Sequence, residues 1–138
     1  MKSTHLLSLS FAGLLTLASA SACAAPDSIS VHVLDQNSGR PAANVRVHLE
    51  QKVGQDWVAL SASLTDKDGR IEALFPADRP FVSGEYRVVF QTRTYYAEAG
   101  KSTFFPEVDV PFLVKDPKQR YHVPLLLSRY GYTVYRGQ

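Results

Sequence analysis

From residue 29 to its end, this chain is a succession of short alternating apolar and polar runs separated by turn formers, with little room left for helix. Successive side chains on a strand point to opposite faces, so a period of two marks a strand with one buried face. Residues 29–35 set Ile29, Val31 and Val33 against Ser30, His32 and Leu34. Residues 45–53 set Val45, Val47 and Leu49 against Arg46, His48 and Glu50, and His48 between its charged neighbours is read as facing solvent. Further strands are expected at residues 57–65, 71–75, 85–92, 108–114, 121–127 and 132–136. Pro111 has no N–H for a ladder, which confines its strand to an edge or a bulge. Asp68-Gly69 is a tight-turn pair and predicts a hairpin from residues 57–65 into 71–75, with Arg70 at its mouth. The Asp66 and Asp68 spacing lacks the remaining ligands and closing glutamate of a calcium loop. Residues 94–99 are the one expected helix, ended by Gly100. Eight strands and one brief helix after the fifth make an all-β sandwich.

The N-terminus reads differently. Lys2, an apolar run over residues 6–17 and a small-residue stretch over 18–25 have the layout of a secretory signal peptide. The run is shorter than the roughly 20 residues of a membrane span. Residues 1–25 are therefore expected to be cleaved, leaving residues 26–138 as one exported, periplasmic domain outside the membrane. The single cysteine, Cys23, leaves with the signal; acylation of Cys23 in a lipoprotein is the weaker reading, because Ala20 stands where leucine is usual. Lys and Arg number 15 against 13 acidic residues, the basic residues are scattered, and no aromatic-basic platform recurs, so nucleic acid is not an expected partner.

The last twenty residues carry most of the functional information. In Tyr121-His122-Val123-Pro124-Leu125-Leu126-Leu127 both strand faces are largely apolar, so the face bearing His122 needs a cover, either another layer or another subunit. Tyr121-His122-Val123-Pro124-Leu125-Leu126-Leu127-Ser128, closed by Tyr135-Arg136-Gly137, resembles the C-terminal signature of the transthyretin-like 5-hydroxyisourate hydrolases of urate breakdown. That family usually ends Tyr-Arg-Gly-Ser, whereas this chain ends in Gln138. The order of elements also resembles the transthyretin fold over essentially the whole mature chain.

The resemblance implies a substrate pocket built from His32, Arg70, His122, Tyr135 and Arg136, in a homotetramer whose paired dimers face each other across the sites. It implies hydrolysis of 5-hydroxyisourate, a small-molecule substrate, to 2-oxo-4-hydroxy-4-carboxy-5-ureidoimidazoline (OHCU). Histidine suits activation of water, since its ordinary pKa is about 6.5; His122 and His32 are both candidates for the base. Arg70 suits the developing oxyanion, and Tyr135 and Arg136 suit the planar heterocycle. No serine or cysteine nucleophile is paired with a base, and two histidines without a placed carboxylate fall short of a zinc site. No metal or cofactor is expected. Taken singly, each residue has a plainer reading: a solvent-facing histidine, a polar residue after a turn, a core histidine, a frayed terminus. The alternative function is a non-catalytic carrier of a small aromatic ligand, and a structural module of an envelope protein ranks third.

Overall fold

The structure, a computed structural model, describes residues 28–138. The expected signal segment, Cys23 included, lies outside the described residues. Nine strands and one helix follow in the order β1 (Ile29–Asp35), β2 (Arg40–Pro41), β3 (Arg46–Val53), β4 (Asp56–Leu64), β5 (Arg70–Ile71), β6 (Gly84–Phe90), α1 (Thr92–Glu98), β7 (Val108–Val114), β8 (Tyr121–Leu127) and β9 (Tyr132–Val134). The strand beyond the expected eight is β2, a two-residue extension of the turn after β1. One sheet runs β2-β1-β8-β9 with β5 also on β1, and the other runs β4-β3-β6-β7. As its proline requires, β7 is an edge strand.

The inward phases of both sheets meet in one core: Ile29, Val31 and Val33 from β1, Val47 and Leu49 from β3, Tyr86, Val88 and Phe90 from β6, and Val123, Leu125 and Leu127 from β8. Helix α1 closes one end of the sandwich and begins two residues earlier than expected. Its stop is a Schellman pair, with Gly100 N–H donating to Ala97 and Lys101 N–H to Tyr96, each at 2.9 Å, and Gly100 at φ 65°. The helix is tied to β1 by buried Asp35, which accepts from the Tyr95 hydroxyl at 3.0 Å and from the Asn37 backbone N–H at 2.8 Å.

The expected hairpin at Asp68-Gly69 is not a hairpin. After β4 the chain leaves that sheet, and β5 pairs with β1 in the other: Val31 opposite Ile71, and His32 opposite Arg70. The reason is a backbone crossing. Gly69, at φ 71°, lies against β1 so closely that a Cβ would collide with the Val33 carbonyl oxygen, and Val33 N–H donates to the Gly69 carbonyl at 2.8 Å. The glycine therefore serves a change of sheet, and the change puts Arg70 beside His32. Gly69→Ala is expected to cost at least about 2 kcal/mol, the left-handed backbone penalty plus the collision. A urea midpoint equal to that of the wild type would mean that the turn does not cross β1 at this distance.

Candidate active site

The outward face of the β1 sheet collects the site. Parallel pairing of β1 with β8 sets Ser30 opposite His122, while β5 sets Arg70 opposite His32. Directly opposed residues project to the same face, so Ser30, His32, Arg70 and His122 share one surface although they span most of the chain.

Each is held by a local device. Asp66 caps the turn before Arg70: its Oδ1 accepts the N–H of Arg70 at 2.8 Å and that of Asp68 at 2.9 Å. Those N–H groups, Arg70's first, hold the Asp66 carboxyl below its ordinary pKa. The Arg70 guanidinium stands 3.9 Å from Glu72, an exposed pair too loose to immobilise it. Nδ1 of His122 is 2.8 Å from Ser30 Oγ. Below β9 the tail stays in register with β8, and Gly137 N–H donates to the His122 carbonyl at 2.9 Å. The backbone of Gly137 lies on the imidazole: a Cβ there would collide with Cδ2, with Cγ of the ring and Cγ of Pro124 each 3.1 Å away. A polar cavity of about 160 Å³ results, lined by Ser30, Arg70, Arg120, His122 and Gln138.

Electrostatics favour neutral imidazoles. Burial lowers the pKa of His122, and the positive charge of Arg70 and the proximity of His32 lower it further, against weaker raising by Glu72 and the Ser30 carbonyl. Burial and then Arg70 lower that of His32, opposed by Asp66, Glu72 and the Asp68 carbonyl. Both rings are thus kept as free bases near neutral pH. In the tautomer able to accept a proton at Nε2, His122 Nδ1–H donates to Ser30 Oγ.

The structure brings His32, Arg70 and His122 onto one face, but of these only Arg70 and His122 line the polar cavity, and Tyr135 and Arg136 do not. Tyr135 N–H pairs with the Pro124 carbonyl at 3.4 Å. Arg136, on the opposite phase from Gly137, lies 5.2 Å over the Tyr121 ring and donates to Gln119 Oε1 at 3.0 Å. Both border a different, apolar cavity of about 330 Å³ between the β7 and β9 edges, walled by Val110, Phe112 and Val134 and reached also by His122. Sequence reasoning missed Ser30, whose hydroxyl meets His122 where no serine beside a base was expected, and also missed Asp66 and Arg120. Strand phase contains the signal for one of them, since Ser30 is two residues before His32 on β1, whereas Arg120 lies just before β8. Among the described residues, no group of three or more His, Cys, Asp or Glu is placed to hold a metal ion.

Residues 29–137 match the family model described as HIUase/Transthyretin family. The chain belongs to that family. A 5-hydroxyisourate hydrolase of Salmonella typhimurium is 49% identical over 124 residues, covering 89% of this chain and 90% of that protein. The solved 5-hydroxyisourate hydrolase of Klebsiella pneumoniae superposes with a TM-score of 0.70 at 31% identity, over 80% of this chain and 97% of that one. Sea bream transthyretin in complex with thyroxine superposes with a TM-score of 0.73, also at 31% identity, over 79% of this chain and 93% of that one. Hydrolase and transthyretin thus fit the family member's backbone about equally, and the side chains must distinguish them.

Proposed function

We propose that this protein hydrolyses 5-hydroxyisourate to OHCU in urate catabolism. The observation that carries the reading is His122, set against Ser30 and kept neutral beside Arg70 in a polar cavity. His122 is the base, because it lines that cavity and has its second nitrogen engaged; His32 supports it electrostatically and binds substrate. Nε2 of His122 takes a proton from water, and the water oxygen adds to the lactam carbonyl carbon. Arg70 stabilises the oxyanion that forms. Collapse breaks the ring C–N bond, the leaving nitrogen takes the proton back from the imidazolium, and the new acid ionises to a carboxylate. The step needs no oxidant, metal or cofactor.

A cavity of about 160 Å³ is small beside the roughly 300 Å³ or more of ordinary ligand pockets. Its missing wall is supplied, in this reading, by a facing protomer. Leu34 and Leu126 are half-buried on the same outward face with no layer of the described residues over them, which suits a homotetramer closing two such faces together. Export to the periplasm with removal of residues 1–25 belongs to the same proposal and is checked by N-terminal sequencing of the mature protein.

The carrier reading draws on the thyroxine-bound neighbour, but a carrier has no use for a neutral imidazole oriented beside a guanidinium. Fresh 5-hydroxyisourate, made from urate by urate oxidase, decides between them. Its ultraviolet absorbance is expected to decay many-fold faster with the protein than without, and sedimentation is expected to give a tetramer. Decay at the uncatalysed rate, with saturable ligand binding, would establish the carrier instead.

A further inference from the structure

Among the described residues that line the polar cavity, Arg120 is the charged one that the mechanism above leaves unused. The cavity is lined by two arginines, Arg70 and Arg120, while the tail's Arg136 lies against Gln119 and the Tyr121 ring. Arg120 immediately precedes β8, two residues before His122, and lines the same cavity. Two residues of strand span about 7 Å, a distance that an extended arginine side chain covers. Arg120 thus borders the cavity from the β8 side, while Arg70 enters from β5 on the far side of β1.

Two cations around one base match the charge that ring opening creates. A neutral lactam carbonyl becomes a tetrahedral oxyanion and then a carboxylate with two oxygens: the former carbonyl oxygen and the one delivered from water beside His122. A single guanidinium opposite the carbonyl serves the first. We infer that Arg120 is a further substrate-binding residue, contacting the oxygen delivered on the His122 side as the carboxylate forms. Charge-assisted bonds of this kind strengthen as negative charge develops, so the contact acts on turnover more than on initial binding. The inference rests on the hydrolase reading.

The test uses the full chain with Arg120→Gln and Arg120→Lys. Arg120 is exposed, so both variants are expected to fold with the wild-type Tm. Arg120→Gln is expected to lower kcat/KM on enzymatically made 5-hydroxyisourate by about 10- to 100-fold, most of it in kcat. Arg120→Lys is expected to recover part of the loss. Urate, a planar purine-derived anion that this chemistry does not open, is expected to bind Arg120→Gln about tenfold more weakly by calorimetry. Wild-type turnover with unchanged kcat and unchanged urate affinity in Arg120→Gln overturns this assignment alone. No turnover by the wild type removes the hydrolase reading, and the assignment with it.

Discussion

Replacing His122 by glutamine is expected to lower kcat/KM by about 10²- to 10⁴-fold, the usual worth of a positioned general base, without unfolding the protein. Glutamine keeps a polar group for Ser30 Oγ, 2.8 Å away in the native protein, so the loss reports proton transfer rather than a broken sheet. The pH profile separates base from bystander. His122 and His32 both have pKa values lowered from 6.5, chiefly by burial and next by Arg70. The acid limb of the wild-type rate is expected to have its midpoint below the 6.5 of an ordinary histidine, as the base becomes protonated. If His122 is the base, that limb disappears in His122→Gln and survives, at reduced rate, in His32→Gln. The reverse pattern would transfer the role to His32. Stability bears on how the profile is measured. A histidine with a depressed folded pKa binds protons more readily in the unfolded chain between that pKa and 6.5, so stability rises with pH through this window and is lost on acidification. Folding must therefore be monitored beside rate below pH 6.5.

The parts of this molecule that were legible in its sequence are those that local periodicity determines. The phases of β1 and β3, the edge position forced by Pro111 and the helix stop at Gly100 all follow from one residue's relation to its near neighbours. What was not legible depends on contacts between distant segments. Asp68-Gly69 has the chemistry of a tight turn whether the next strand returns to β4 or crosses to β1. Only the close approach of Gly69 to Val33 selects the crossing. Ser30 looked like an ordinary polar residue until the parallel register set it opposite His122, and parallel partners share no turn from which to read a register. Arg136 illustrates the converse. A motif names the residue, but its side chain lies over Tyr121 and borders the apolar cavity, whereas Arg120 and Gln138 line the polar one.

Gly137→Ala is the second large effect expected, and it tests how the tail acts. Gly137 makes no contact that a side chain provides; it allows the backbone to lie flat on the His122 ring while donating to the His122 carbonyl. One added methyl cannot fit between Gly137 and Cδ2, and the ring is pinned on its other side by Ser30. Either the tail lifts, carrying Gln138 out of the cavity, or the imidazole rotates away from Ser30. A displacement of about 1 Å at a reacting group costs about 10²-fold, and kcat/KM is expected to fall by that much. The fold should survive, because the tail lies at the open edge of the β1 sheet and the core beneath it is unchanged. Since the substitution acts through His122, its effect should largely vanish when combined with His122→Gln, the two losses failing to add as those of coupled residues do. Full additivity would show that the tail contributes on its own account. Wild-type kcat/KM in Gly137→Ala, with the imidazole resonances of His122 unmoved, would mean that the C-terminus does not rest on the ring at all.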